Sequence, residues 1–203
     1  MISIDPTSQS ERENYKLLIG SIIPRPIAFV TSLSGEGVLN AAPYSYFTIV
    51  TSNPPMVAVS VQRKQGVRKD TSRNAIDIGA FVVHISDESY ISQINQTAAA
   101  LPPDESEVAL AGLTPVKSEK VAVPGIAEAS IRMECVLEQA IPLGGTDGAP
   151  AADLLIGRVV HFHIAESLYE DGHIDPLGLK PVSRLAGSAY AKLGEQFIMD
   201  RPV

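Results

Sequence analysis

Apolar and polar residues alternate in short stretches along much of the chain, with the period of two that a half-buried strand requires. Met56 to Gln62 shows it plainly, and β-rich runs recur at Ile22 to Leu33, Phe47 to Thr51 and Ala80 to Ser86. Two longer strands are predicted at Ile131 to Leu137 and Asp153 to Ala165, joined as an antiparallel hairpin by the Gly/Pro-rich loop Leu143 to Ala152. In the first, Ile131, Met133, Cys135 and Leu137 share one face, and Arg132, Glu134 and Glu138 share the other. That pattern predicts a sheet with one wet side. Ser34-Gly35-Glu36-Gly37 predicts a turn with a return through Val38 to Asn40. Pro24 and Pro26, flanking Arg25, confine that part to an edge or a bulge.

Helical spacing is scarcer. Asp70 and Thr71 are good N-cap residues for a helix over Arg73 to Ile78, and Asp87 to Ala100 carries an apolar stripe through Tyr90, Ile91, Ile94 and Ala98. Tyr15 to Ile19 reads as a short helix or as the lead-in to the first strand. Glu105 to Leu113 reads as a short amphipathic piece, and Thr114 to Gly125 as a loop with a short strand. Ala41 to Tyr46 has no clear period and reads as a loop with a helical turn. Asn53-Pro54-Pro55 and Leu101-Pro102-Pro103 are breaks. About seven short strands with two or three helices predict a mainly β fold, a closed barrel with helical insertions. No internal repeat or linker divides residues 1–203, which are expected to form a single domain.

Composition narrows the function. Apolar residues make up 45% and charged residues 19%, a globular balance. A net charge of −7 argues against non-specific nucleic-acid binding. A single cysteine, Cys135, excludes an intramolecular disulfide and a cysteine-cluster metal site. With no long apolar run near Met1, a reducing, cytoplasmic setting is expected. Gly37 to Gln62 holds no charged residue, but Asn40, Pro43 and Asn53-Pro54-Pro55 interrupt it. A membrane span is therefore not expected, and such uncharged but polar sequence suits the wall of a ligand pocket.

Against this acidic background, Ser60 to Asn74 concentrates Arg63, Lys64, Arg68, Lys69 and Arg73 around one anion, Asp70. It is either a solvated basic loop or an anion seat. A strand before it, Gly66 within it and a helix start after it favour a phosphate. Other chemistry is thinly supported. His161 and His163 share a strand face and could chelate a metal or simply pack. His84 could face a ligand or sit in the core, and Cys135 falls on an apolar face. No nucleophile elbow, H-E-x-x-H, P-loop or G-x-G-x-x-G motif is present. Beside the anion seat, Asn40 and Ser45 offer hydrogen bonds, and Tyr44, Tyr46 and Phe47 offer flat surfaces. A phosphate at one end and a flat polar heterocycle at the other describe FMN or pyridoxal phosphate.

At these residues the sequence resembles the flavin reductase-like FMN-binding proteins of the split β-barrel fold. The likeness rests on IIPRPIAFVTSLSGEGVLNAAPYSYFTIVTSNPPMVAVSV and RKDTSRNAIDIGAFVVHIS, and runs to about Ala165. The tail from about residue 166, with PVSRLAGSAYAKLGE, is similar to the closing segment of the family's longer members. The resemblance implies a homodimer with FMN near the subunit interface. It implies a phosphate held by Arg63, Lys69, Asp70 and Thr71. It implies a ring held by Asn40, Ala41, Ala42, Ser45, Tyr46 and Phe47, with Thr31 and Ser60 at neighbouring strand ends. It assigns no role to His84, names no catalytic side chain and calls for no metal. NADH or NADPH would be the reductant, with a partner oxygenase possible downstream. An FMN-binding electron carrier and a pyridoxamine-phosphate oxidase relative are the alternatives.

Overall fold

A computed structural model describes residues 1–146 and 148–202; Asp147, inside the expected loop Leu143 to Ala152, and Val203 lie outside them. Seven strands form one antiparallel sheet: β1 (Ala28–Leu33), β2 (Leu39–Tyr44), β3 (Phe47–Ser52), β4 (Pro55–Gln62), β5 (Ala80–Ile85), β6 (Ile131–Leu143) and β7 (Ala152–Ile164). Their order is β2-β1-β5-β6-β7-β4-β3. The sheet curls on itself. Val30 of β1, Tyr44 of β2, Val57, Val59 and Val61 of β4, Phe81 and Val83 of β5, Cys135 of β6 and Leu155 of β7 meet in one core.

Both faces of β1 are buried, which is why it reads as a run of apolar and small residues. Val30 points into the barrel core. Phe29 points outward and is covered by Tyr90, Ile94 and Val108. Those covers come from α3 (Ile91–Gln96) with its N-cap Tyr90, and from α4 (Glu107–Leu110). The barrel is tight at Gly157 of β7, against Phe81 of β5 and Cys135 of β6. A Cβ added at Gly157 would lie 2.4 Å from Phe81 Cζ and 3.0 Å from Cys135 Cβ. Gly157→Ala is therefore expected to cost about 1–3 kcal/mol of stability, read as a fall in the urea midpoint.

Several elements differ from the sequence expectation. Ala41 to Tyr44 is strand, paired residue by residue with β1. It escaped the periodic reading because Ala41 packs under the helical cover while Tyr44 fills the barrel, so both faces are buried. Pro43 is tolerated because β2 ends the sheet. The first helix, α1 (Glu11–Ser21), is longer than Tyr15 to Ile19. Ser10 and Glu13 form a capping box that starts it. The helix expected over Asp87 to Ala100 shrinks to α3, because Asp87 Oδ1 accepts from the Ser89 amide at 2.9 Å and builds a turn first.

The wet side expected for β6 is not wet at Glu134, which is 0% exposed. The amides of Glu119 and Lys120 donate to its carboxylate at 2.7 and 2.6 Å, and His163 Nε2 lies 2.6 Å away. Burial alone would raise this carboxyl, but those amides and His163 hold it below the usual range. His161 and His163 do share a face, with ring centroids 4.7 Å apart. Among the described residues, no group of three or more His, Cys, Asp or Glu side chains is placed to hold a metal. No helix there is long and apolar enough to cross a membrane.

Candidate functional site

The basic stretch is shaped by a tight turn between β4 and α2 (Asp70–Ile78). Lys64 and Val67 exchange both backbone hydrogen bonds at 3.0 Å. Gln65 and Gly66, between them, have φ of 52° and 77°. A two-residue hairpin turn of this type needs positive φ at both positions, and Gly66 supplies one without strain. Arg63 anchors the turn to the barrel. Its Nε and Nη2 donate to Asp153 Oδ2 and Oδ1 at 3.0 and 2.6 Å. Asp153, on β7, is buried. Burial would raise its carboxyl, and Arg63 together with Arg68 and Ser72 holds it below the ordinary range instead.

Beyond the turn, α2 begins at Asp70, with Lys69 as N-cap and no side chain filling the cap. Asp70 is thus the first helical residue rather than the cap, and it pairs with Arg73. The start of the helix, Lys69 to Thr71, lines a cavity of about 530 Å³, and a helix start carries unpaired amides and the positive end of the dipole. Lys64, Arg68, Lys69 and Arg73 line it, together with Asn40, Ala42 and Thr71. Its opposite wall is Thr97 to Leu101 with Pro103, a segment without charge.

A chain of buried hydrogen bonds sets the polar wall. The Tyr44 hydroxyl donates to Thr71 Oγ1, and the Thr71 hydroxyl donates to Asn40 Oδ1, each at 2.8 Å. The Ser32 hydroxyl reaches the same Asn40 oxygen at 3.1 Å. Asn40 Nδ2 donates to Glu107 Oε2 at 3.0 Å. Every hydroxyl proton in this chain has a partner within the protein, so the wall is fixed before any ligand arrives. Burial keeps the Tyr44 hydroxyl protonated far into the alkaline range.

A second cavity of about 180 Å³ adjoins the first and shares Pro43, Tyr44 and Lys69 with it. Ser45, Tyr46 and Ser60 line it, as do Arg184, Leu185 and Gly187 from the tail. Arg25 holds this region together. It donates to the carbonyls of Ile19, Ile22 and Leu185 at 2.8, 2.5 and 2.9 Å, and to Ser45 Oγ at 3.4 Å. One guanidinium thus joins the end of α1, the tail and the segment after β2.

The expected site residues therefore divide. Asn40, Ala42, Lys69, Asp70 and Thr71 line the larger cavity, and Ser45, Tyr46 and Ser60 the smaller. Ala41 is buried, with its amide 3.2 Å from Glu107 Oε2. Thr31 is buried elsewhere and donates to the Pro124 carbonyl at 2.7 Å. Phe47 packs on the barrel core. Arg63 lines neither cavity; its guanidinium is committed to Asp153. Arg25 and Glu107 were not expected. Nothing local in the sequence links Glu107 to Asn40 across 67 residues.

The fold and this site define a class. The chain belongs to the flavin reductase-like domain family, whose model matches residues 19–179. Its fold is the family's split barrel. The structure of nitrilotriacetate monooxygenase component B from Bacillus cereus is 70% identical, covers 98% of each chain and superposes with a TM-score of 0.97. That of Pseudomonas fluorescens 2-nitrobenzoate 2-nitroreductase NbaA is 30% identical, with a TM-score of 0.88, over 99% of this chain and 96% of its own. The uncharacterized protein YwrF of Bacillus subtilis is 55% identical over 95% of both chains.

Proposed function

We propose that this protein is an NAD(P)H-dependent flavin reductase that works through bound FMN, as a homodimer whose whole chain, tail included, serves one site. The observation that carries the reading is the cation-lined cavity at the uncapped start of α2, set beside the uncharged wall from Asn40 to Tyr46. The donor set fits the cofactor. Among the described residues Lys64 and Lys69 form no ion pair, so their charge is available to a phosphate. Lys69 and the first-turn amides would hold that phosphate, and Asn40 and Thr71 would border the polyol chain. When bound, the flavin supplies the two-electron chemistry between a reduced nicotinamide and an acceptor. The protein's part is to orient the ring and exclude water around it. One compact cationic patch favours FMN over the larger FAD.

Similarity to a monooxygenase component B supports delivery of electrons to a partner oxygenase. Exposed apolar side chains on α1 and β3, Leu17, Leu18, Ile49 and Val50 among them, support burial against a second copy. The test is anaerobic mixing of the FMN-loaded protein with NADH or NADPH. Loss of the flavin's visible absorbance at a catalytically useful rate is expected. A yellow protein that neither nucleotide bleaches would instead be an electron carrier. Sedimentation at micromolar concentration is expected to give a dimer, and a monomer with FMN bound would overturn that part.

A further inference from the structure

Two carboxylates line the larger cavity among its cations: Asp70, which pairs with Arg73, and Glu107, which forms no ion pair among the described residues. Glu107, the first residue of α4, is 5% exposed and lines the cavity wall. Its Oε2 accepts from Asn40 Nδ2 at 3.0 Å and from the Ala41 amide at 3.2 Å. Its own backbone amide also bonds the carboxylate, and no other described residue donates to Oε1, which leaves lone pairs on that oxygen of a residue lining the cavity. We propose that Glu107 sets the cavity's preference for a phosphorylated over a neutral ligand, because this free oxygen carries charge or a proton into the anion's own cavity. The inference rests on the FMN reading above.

The argument is electrostatic. An ionised Glu107 opposes a phosphate bound at Lys69 and the start of α2. A Glu107 protonated at Oε1 presents an O–H donor instead, while Oε2 goes on accepting from Asn40 and Ala41. Burial raises this carboxyl above the ordinary range, and the charge of Asp70 adds to the effect. An arriving phosphate would raise it further. The groups that face it are Lys64, Arg68 and Lys69 of the basic turn, Asp70 and Arg73 of α2, and Tyr44 of β2. Arg73 is paired with Asp70, and Arg68 lies 3.4 Å from Asp153. The wall from Thr97 to Pro103 brings no titratable group, and Asp104 and Glu105 before α4 are exposed. The sign follows. Through Glu107, affinity for a phosphorylated ligand falls as pH rises and the carboxyl ionises. The second ionisation of a phosphate monoester, near pH ~6, works the other way by strengthening attraction to the lysines.

Glu107→Gln separates the two effects. The glutamine Oε1 can accept from both Asn40 and Ala41, and its Nε2 puts a donor where the free oxygen was. Dissociation constants for FMN and riboflavin are measured from about pH 5 to about pH 8, a span set by carboxyl and phosphate titration. The readout is FMN affinity relative to riboflavin affinity in each protein, which cancels any loss that both ligands share through the Asn40 wall. On that measure the variant is expected to favour FMN more than wild type does, by a factor that grows with pH to about tenfold. A ratio that stays constant with pH, the mark of an equal loss for both ligands, would overturn the inference and leave Glu107 as a support for Asn40. Riboflavin 5′-sulfate keeps the test independent of the variant, because its ester does not gain charge in this range. Its affinity for wild type, relative to riboflavin, should fall as pH rises; a flat profile overturns the proposal. Absence of binding by FMN and riboflavin alike at every pH would instead sink the flavin reading itself.

Discussion

Lys69→Ala is expected to weaken FMN binding about ten- to a hundredfold while leaving riboflavin affinity nearly unchanged. Lys69 lies where the two cavities meet, and among the described residues it has no carboxylate partner to release. A hydrogen bond to a charged group contributes about 1.5–3 kcal/mol, which is the quoted range in dissociation constant. Its structural duty is carried by the backbone, since its carbonyl accepts from the Arg73 amide at 3.0 Å. Alanine keeps that bond. Arg63→Ala should behave differently, because it strips Asp153 of its bidentate partner and frees the basic turn. Both ligands should then suffer together, along with thermal stability. Titration of each variant with FMN and riboflavin distinguishes the two. A phosphate-selective loss in Arg63→Ala but not in Lys69→Ala would show that the anion seat is misplaced.

Acid is expected to remove about 3 kcal/mol of stability through His84 alone. This imidazole is fully buried, with Nδ1 2.8 Å from the Phe29 carbonyl and Nε2 accepting from the Ile126 amide at 2.9 Å. That arrangement needs the neutral ring with its proton on Nδ1. Burial pushes the folded pKa down to about 4 from an ordinary 6.5, and the neighbouring Arg132 adds to the shift. The unfolded chain therefore binds a proton that the folded chain refuses. The contribution is complete above pH 6.5 and is lost as pH falls towards about 4. The gap corresponds to about 3 kcal/mol at 1.36 kcal/mol per pKa unit. His84→Gln can donate to Phe29 and accept from Ile126 without titrating. Urea unfolding across this range should show a steeper loss in wild type than in the variant. Parallel curves would contradict the assignment.

Local periodicity carried much of the fold. The alternation from Met56 to Gln62, the apolar face of β6 through Cys135 and the helix before Ile78 all follow from residues within one element. What escaped was set by distant partners. Glu134 reads as a solvent-facing carboxylate until the amides of Glu119 and Lys120 close over it. Arg63 reads as a phosphate ligand until the barrel brings Asp153 to it from 90 residues away. The strand at Ala41 to Tyr44 has no alternation because it is covered on both sides. The Ser10/Glu13 capping box, by contrast, is local: it lies five and two residues ahead of Tyr15, where the helix was expected to begin. Asn40 and Lys69 to Thr71 line the larger cavity, and they stood out as candidates because a charge cluster beside an uncharged run is a local feature. Arg25 and Glu107, which hold the site's walls through long-range bonds, could not.

The most direct test of the central claim is equilibrium titration of the purified protein with FMN, riboflavin and FAD, followed by flavin fluorescence at one ionic strength. If the cavity at the start of α2 seats the phosphate of a flavin mononucleotide, FMN should bind most tightly and riboflavin more weakly, and Lys69→Ala should remove most of that difference. Tight binding of FAD with FMN ignored, or equal affinity for FMN and riboflavin in wild type, would contradict it.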